Sequence, residues 1–327
     1  MMDLRHEGSK CSLLNAISLV HPPQRATHPA PSPVMPDSLS EILKKVRRIE
    51  LVTRGIVRAA VGGEYHSVFK GQGIDFDDFR EYAPGDEVRS IDWNVTARMG
   101  TPFIKKFVEE RELTVFLCVD VSASKNFGGR DQSKRELAAE IAALFAFSAI
   151  TNQDKVGLLL FTDRTESFVA PRKGSTHALR IIRDILYCQP HGKGTDIGMA
   201  LDKLTSHLPR RCLVIVISDF IAPDFSRQLG VASVRHDVVA VQISDAAEDE
   251  LPNAGWIRLL DPETGEMLDV NTGSARVRQE YQNLRARWQA GLHQTFKNAS
   301  VDKLDIRTGM NYQAALHAFF KRRASRV

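Results

Sequence analysis

The sequence predicts an α/β protein in which a central parallel β-sheet is flanked by helices. Residues 115–119 and 213–217 are continuous apolar runs, which is the pattern of strands buried on both faces of a parallel sheet. Apolar runs and helical patterns then alternate along the chain, as they do in successive strand–helix–strand units. Each of the two buried runs leads into an acid, Asp120 or Asp219. Because ligands of open α/β sheets bind beyond the carboxyl ends of the strands, these acids mark the edge where a site is expected.

The composition is that of an ordinary globular protein. Of the 327 residues, 43% are hydrophobic and 26% are charged. No stretch approaches the ~20 consecutive apolar residues that a membrane helix requires. The net charge of +4 is too small to indicate nucleic-acid binding. The four cysteines show no CxxC spacing, and Cys118 and Cys212 lie in or beside apolar strands, which favours a reducing, cytoplasmic location.

The N-terminal segment is rich in proline and has no apolar periodicity, so we predict that residues 1–36 are disordered. Met35 is a second possible translation start, besides the first residue of the chain. Asp37 and Ser38 then cap a helix with an apolar stripe along residues 39–49. The opposite face of this helix is basic, which suits a membrane surface, but packing against its own domain is the simpler interpretation.

A segment rich in glycine, acids, arginine and aromatic residues surrounds a turn at residues 84–86. We expect short strands on both sides of this turn, so residues 37–109 are predicted to form a helix and a small strand-rich subdomain. We favour the interpretation that its charged residues pair with one another and tie the segment to the main domain. The alternative is a docking surface for a partner formed by Arg80, Arg89 and Trp93, since arginine and aromatic side chains are common interface anchors.

Residues 110–327 are predicted to form the α/β domain. Its expected elements are, in order, strand 115–119, helix 135–150, strand 156–161 with a hairpin partner at 166–169, helix 177–187, helix 197–208, strand 213–217, a weak helix at 225–234, strand 237–243, strand 302–307 and helix 312–323. A hairpin at 256–270 and a polar helix at 276–296 interrupt this alternation. We therefore interpret residues 245–300 as an insertion and as a candidate to join the strand-rich subdomain.

Oxygen-bearing side chains gather at the predicted carboxyl ends of the strands. Asp120, Ser122 and Ser124 alternate on one short loop, Thr195 lies in a glycine-rich turn before a helix, and Asp219 follows the second buried strand. An Asp after a strand is often only the N-cap of the next helix, so the first loop alone is a weak signal. The agreement of three separate stretches makes the signal specific. Hard oxygen ligands suit Mg²⁺, Mn²⁺ or Ca²⁺ rather than Zn²⁺.

In their order and secondary-structure context, the three stretches resemble the metal-ion-dependent adhesion site of von Willebrand factor A domains. The resemblance implies a von Willebrand factor A (Rossmann-like) fold. It also implies one divalent cation, Mg²⁺ or Mn²⁺, surrounded by Asp120, Ser122, Ser124, Thr195 and Asp219. A site of hydroxyls and two acids leaves such a cation open on one side, where a partner's carboxylate can bind.

The arginine-rich segment and the metal motif together resemble a bacterial family of von Willebrand factor A-like proteins, the domain of unknown function 58 family. The residues that carry this resemblance are Gly71, Gly73, Phe76, Arg80-Glu81-Tyr82, Pro84-Gly85-Asp86, Arg89 and Ile91-Asp92-Trp93. The match extends over almost everything from about residue 38 onward. It implies a MoxR-type AAA+ ATPase as partner, with a role in the assembly or maturation of protein complexes, and it implies no defined reaction.

Catalytic motifs are weak. The turn at residues 192–195 lacks the spacing of a phosphate-binding loop, because a glycine follows its lysine. The Asp120 loop is similar to a phosphatase nucleophile loop but lacks a second acid two residues later. His191 is the one histidine beside the proposed site. The sequence thus favours a non-enzymatic, metal-dependent protein-interaction module, and the alternative is a Mg²⁺-dependent hydrolase that uses Asp120 or Asp219.

Overall fold

The structure, a computed structural model, describes residues 39–56, 74–109, 113–123, 133–261, 263 and 265–325. The disorder predicted for residues 1–36 and the metal ligand predicted at Ser124 lie outside the described residues.

The described part of the chain contains strands and helices in the predicted alternation. The strands are β1 (Ile74–Glu81), β2 (Phe103–Glu109), β3 (Thr114–Asp120), β4 (Lys155–Phe161), β5 (Thr165–Arg172), β6 (Leu213–Ser218), β7 (Asp237–Ser244), β8 (Trp256–Leu260), β9 (Met267–Asn271) and β10 (Asp302–Arg307). The α-helices are α1 (Leu39–Ile56), α2 (Trp93–Met99), α3 (Lys134–Thr151), α4 (Ser175–Tyr187), α5 (Ile197–His207), α6 (Ser226–Arg235), α7 (Ala275–Asn298) and α8 (Tyr312–Ala324).

Six strands form the central sheet, in the order β10-β7-β6-β3-β4-β5. Neighbouring strands are parallel, except that β5 runs antiparallel to β4 as its predicted hairpin partner. The two apolar runs, β3 and β6, are adjacent at the centre of the sheet, where nearly all of their residues are buried. The predicted α/β fold is therefore confirmed, and the carboxyl ends of β3, β4 and β6 lie along one edge.

Helix α3 is buried nearly all round, as its apolar sequence predicts. Its start is fixed by a capping box, in which the Ser133 hydroxyl accepts the Glu136 N–H at 3.1 Å and the Glu136 carboxylate accepts the Ser133 N–H at 3.3 Å. The helix packs on β3 and β4 and against α4. Because the cap sets where the helix begins, it also places Lys134 in the first turn, inside the protein.

Helix α1 packs on α3 and α4. Val46 and Ile49 are buried there, while Lys44 and Arg47 are exposed on the opposite face. The amphipathic pattern of this helix is thus satisfied by its own domain, as the simpler interpretation proposed. Within the described residues, no helix reaches the length and apolarity that a bilayer crossing requires.

A smaller compact unit comprises residues 69–113. Strands β1 and β2 pair antiparallel in it. These strands lie before and after the turn, as expected, but a short 3₁₀-helix and then α2, which were not predicted, lie between the turn and β2. The Asp92 carboxylate caps α2 by accepting the backbone N–H groups of Asn94 and Val95, and Gly100 ends the helix in the left-handed conformation, with φ of 78°. Helix α1 belongs to the larger unit, so the chain divides differently from the predicted grouping of residues 37–109.

The predicted insertion, residues 245–300, also belongs to the larger unit and does not join the small one. Strands β8 and β9 form an antiparallel hairpin, and α7 follows it. Leu259 of the hairpin and Tyr281 of α7 share a buried apolar cluster with Ile221 and Leu251. These apolar contacts hold the insertion near the carboxyl end of β6. They are the physical reason why it belongs to the larger unit rather than to the small one.

The described cysteines, Cys118, Cys188 and Cys212, are free thiols. Burial raises the pKa of each thiol, in the case of Cys212 to about 11, so they remain neutral at physiological pH. Cys118 and Cys212 act as the small core residues that the sequence indicates.

Candidate functional site

The carboxylate of Asp120, at the end of β3, is fixed by two hydrogen bonds. One oxygen accepts the Ser122 N–H at 3.0 Å, and the other accepts the Ser218 hydroxyl at 2.6 Å. Only 2% of Asp120 is exposed, so these charge-assisted bonds form away from bulk water. Ser218 ends the neighbouring strand β6, and it therefore ties the two strand ends together. Ser218 was not among the predicted site residues, although it directly precedes the predicted ligand Asp219.

The loop after β3 is braced by Arg135 from helix α3. Its guanidinium donates to the Val121 carbonyl at 3.1 Å and to the Cys188 carbonyl at 2.9 Å. Burial lowers the pKa of Arg135 from its usual value. Ser122, the second predicted ligand, is fully buried on this loop. Arg135 thus fixes the backbone path of the loop beside Asp120 and Ser122.

Asp219 follows β6 and is also only 2% exposed. One of its oxygens accepts the Ile221 N–H at 3.2 Å, and the other lies 3.4 Å from the ammonium of Lys134. The Asp219 carbonyl accepts from the Gln242 amide at 3.3 Å. The second predicted acid is therefore held from both sides, and a buried cation of the chain itself lies beside it.

Lys134 belongs to a buried network of alternating charges. It is fully buried and forms ion pairs with Asp219 and with Glu248, which is 1% exposed. Glu248 in turn accepts from Arg285 at 3.0 Å, and the Arg285 guanidinium lies 4.9 Å from the centre of the Trp288 ring. This network was not predicted, because its members lie far apart along the chain and only packing brings them together.

Thr195 lies in the turn before helix α5 and is 6% exposed. Its hydroxyl donates to the Glu263 carboxylate at 2.9 Å. The next residue, Asp196, caps α5 by accepting the Met199 N–H at 2.8 Å, and its own N–H donates to the Thr162 carbonyl just beyond β4. These bonds place Thr195 at the same edge of the sheet as the two acids.

The glycine-rich turn has one position where a side chain cannot fit. A Cβ on Gly192 would lie 2.0 Å from the Thr162 hydroxyl and 2.1 Å from the Asp163 carboxylate, far inside van der Waals contact. At Gly194 the nearest atom to such a Cβ would be 3.7 Å away, which is an ordinary contact. The turn therefore needs glycine at position 192 because the chain passes close to the end of β4.

Glu166 of β5 anchors this turn. Its carboxylate accepts the N–H groups of Gly192 at 2.7 Å and His191 at 3.0 Å, and the Thr162 hydroxyl at 2.7 Å. Burial opposes ionisation of Glu166, but these hydrogen bonds outweigh it and lower its pKa to about 2. His191 itself is 85% exposed, with Nδ1 at 3.3 Å from Glu166. The His191 side chain therefore lies on the outer side of the turn, beside the Glu166 carboxylate.

Asp120, Ser122, Thr195 and Asp219 thus lie at one edge of the sheet, where the strands that carry or flank them end. In the described part of the chain, no three His, Cys, Asp or Glu side chains gather as a metal cluster, so a cation would need the hydroxyl oxygens as well as the acids. Carboxylates and hydroxyls are the donors that Mg²⁺ takes, and the donor set fits this ion. Lys134 opposes it in part, because its ammonium already lies beside one oxygen of Asp219.

The predicted docking residues lie in the smaller unit. Arg80 forms a two-pronged pair with Asp86, at 2.8 and 2.9 Å, as the internal-pairing interpretation expects. The hydrogen bond from Arg80, more than that from the Ala83 N–H, lowers the pKa of Asp86. Arg89 is exposed, and Trp93 is 67% exposed at the start of α2. Arg80 is thus engaged within the unit, whereas the aromatic ring of Trp93 faces solvent.

These features define a class: an α/β protein with a parallel central sheet and an oxygen-lined site at the carboxyl edge of that sheet. The model of the family described as "Protein of unknown function DUF58" matches residues 78–291 of the chain. The chain belongs to this family, and the family membership expected from the sequence is confirmed.

The chain is also similar to a curated relative and to two solved structures. The chain is 30% identical over 307 residues to the uncharacterized protein Rv1480 of Mycobacterium tuberculosis, which covers 93% of this chain and 94% of that protein. It is similar to the conserved hypothetical protein BatB from Bacteroides thetaiotaomicron, with 16% identity, a TM-score of 0.42, and coverage of 65% of this chain and 99% of that one. The SpRpn10 VWA domain matches with 9% identity, a TM-score of 0.37, and coverage of 63% and 94%. Because these TM-scores are low, the fold assignment rests on the strand order and helix packing described above.

Proposed function

We propose that the chain is a non-enzymatic protein-interaction module whose site binds one Mg²⁺ or Mn²⁺. The residues proposed to hold the ion are Asp120, Ser122, Ser124, Thr195 and Asp219. The observation that supports this most is the placement of two buried carboxylates at the ends of adjacent parallel strands, with buried Ser and Thr hydroxyls at the same edge. Ser124 enters the proposal on its motif alone.

The chain's own residues prepare this site before any ion arrives. Ser122 and Ser218 hold the orientation of the Asp120 carboxylate, and the turn at Gly192 presents the Thr195 hydroxyl. A bound Mg²⁺ would supply an open coordination position, which takes a carboxylate from another protein in place of water. The partner that the family resemblance implies is a MoxR-type AAA+ ATPase in the cytoplasm, and we propose that it contributes this acid.

A binding role fits the geometry better than hydrolysis by Asp120 or Asp219. Both oxygens of Asp120 accept hydrogen bonds, and both oxygens of Asp219 lie against the Ile221 N–H or Lys134. A nucleophile or general base must reach the substrate, yet each of these acids is only 2% exposed. Carboxylates that are held in this way suit the orientation of an ion, and this supports the interaction module.

The test is capture of a MoxR-type ATPase from the same genome by the full chain, with Mg²⁺ and with EDTA. We expect binding in Mg²⁺, loss of binding in EDTA, and recovery when Mg²⁺ is restored. Thr195→Val removes the proposed hydroxyl ligand at constant shape and should weaken binding about tenfold. Thr295→Val is the matched control, because that hydroxyl bonds only within helix α7, to the Gly291 carbonyl.

The opposite result is expected if the partner docks on the smaller unit. If Arg89 and Trp93 form the main contact, then Arg89→Ala and Trp93→Ala abolish capture. Binding would then survive both EDTA and Thr195→Val. That outcome would overturn the metal-bridge proposal and favour the smaller unit as the docking surface.

A further inference from the structure

The turn of the β8–β9 hairpin brings a carboxylate to the proposed metal ligand Thr195. One oxygen of Glu263 accepts the Thr195 hydroxyl at 2.9 Å. The other oxygen would lie 3.9 Å from a Cβ on Gly194, so the carboxylate lies over the glycine-rich turn. Glu263 is thus an acid from elsewhere in the chain, in contact with a hydroxyl that we propose as a cation ligand.

This position of Glu263 is built by the hairpin. Its N–H donates to the buried carboxylate of Asp261 at 2.9 Å. The Asp261 carbonyl accepts the Gly265 N–H at 2.8 Å, and Gly265 takes a φ of 75°, which closes the turn. The inner face of the hairpin packs on the apolar cluster that contains Ile221, two residues after Asp219. These contacts therefore hold the turn at a fixed position beside the edge of the sheet.

The same insertion also contacts the other side of the site. Glu248, in the 3₁₀-helix Ala246–Glu248, forms the ion pair with Lys134, which lies 3.4 Å from Asp219. The Tyr281 hydroxyl of helix α7 donates to the Glu248 carbonyl. The insertion thereby contributes two acids to the site. Glu263 lies at the Thr195 side, and Glu248 acts on the Asp219 side through Lys134.

From these contacts we infer that Glu263 is an internal ligand of the site, which occupies the position that a partner's acid would take. This inference rests on the proposed function, because it assumes that the site accepts a carboxylate through a bound ion. An acid tethered on the same chain acts at a high effective concentration. A partner must therefore displace Glu263, and its apparent affinity falls in proportion to the fraction of molecules in which the site is open. The ligand class of the site is then an acidic side chain of the length of glutamate.

The test uses Mg²⁺ and glutarate, a dicarboxylate probe with the five-carbon skeleton of glutamate. The thermal unfolding midpoint is followed while glutarate is titrated onto the Mg²⁺-loaded full chain. We expect Glu263→Gln to show the same rise in midpoint at about tenfold lower glutarate than the wild type, as for an internal ligand that fills the site ~90% of the time. Glu266→Gln is the matched control, since it makes the same charge change at an exposed position of the same hairpin.

A second measurement, made on the wild-type protein, tests the inference without any substitution. Saturating glutarate should increase amide hydrogen exchange at the tip of the β8–β9 hairpin in the wild-type protein, because the turn is released. If Mg²⁺ stabilises all three proteins and glutarate binds them equally, the inference about Glu263 is overturned and the metal site stands. If Mg²⁺ stabilises none of them, the metal site and the inference are both overturned.

Discussion

The two sides of the candidate site are held by different forces. On the Asp219 side, buried charges alternate through Lys134 and Glu248 to Arg285, and each of these side chains is at most 6% exposed. On the Thr195 side, one hydroxyl bonds one partly buried carboxylate, that of Glu263, at the tip of a hairpin. The first side is a network of buried charges, whereas the carboxylate on the second side is only partly buried.

This difference indicates which side can move. A buried charge that loses its partner is costly, so the Asp219 side keeps one arrangement. A hydrogen bond to a partly buried carboxylate contributes about 1.5–3 kcal/mol net, which is less than the ~3–5 kcal/mol cost of breaking a buried ion pair. We therefore expect a partner to enter from the Thr195 side, while the Asp219 side provides a fixed wall.

The largest effect is expected from breaking the charge network. Lys134→Ala removes the cation between Asp219 and Glu248 and should lower the free energy of unfolding by about 3–5 kcal/mol. Urea denaturation measures this change, and Lys44→Ala, at an exposed position of helix α1, is the control. A loss similar to that of the control would mean that the buried charges do not hold this side.

On the other side of the site, the glycine turn offers a steric test. Gly192→Ala forces a methyl group into the space of the Thr162 hydroxyl and should cost about 1–3 kcal/mol. Gly194→Ala, in the same turn, meets only ordinary contacts and should change stability by less than about 0.5 kcal/mol. Equal effects of the two substitutions on thermal unfolding would contradict the close approach at position 192.

A smaller effect, dependent on pH, is expected from Glu166. Its pKa in the folded protein is about 2, below the usual 4.5, so its stabilisation is complete above about pH 4.5 and is lost as the pH falls towards 2. Glu166→Gln should cost about 2 kcal/mol at pH 7, and the difference from the wild type should shrink in acid. Urea titrations between pH 7 and pH 2.5 measure it. A difference that stays constant with pH would show that the ionised carboxylate is not what holds the turn.

The common location of the candidate residues could be predicted from the sequence where the information is local. Asp120 and Asp219 follow apolar strands, and a parallel sheet brings the ends of neighbouring strands to one edge, so their common location follows from pattern alone. The location of Thr195 at the same edge follows from the glycine-rich turn that precedes α5. Helix α2 and its cap by Asp92 were not predicted, because the surrounding turn residues favoured strands.

The remaining parts of the site depend on packing between distant segments. Nothing in the local sequence marks Lys134, at the start of a helix, as part of a charge network; its partner Glu248, which also binds Arg285, comes from a distant segment. Glu263 could be placed in a hairpin turn from the sequence, but its contact with Thr195 depends on where the insertion packs. The insertion joins the larger unit through buried side chains such as Tyr281, and no short-range pattern encodes that choice.

The central claim is that this edge of the sheet binds a divalent cation through Asp120. The most direct measurement is the thermal unfolding midpoint with increasing Mg²⁺ for the wild type, Asp120→Asn, and the exposed control Asp202→Asn on helix α5. At Mg²⁺ a hundredfold above its Kd, mass action adds about 2.7 kcal/mol, which corresponds to ~5–10 °C for a domain of this size. We expect that rise in the wild type and in Asp202→Asn and no rise in folded Asp120→Asn. An equal rise in all three proteins, or none in the wild type, would contradict the claim.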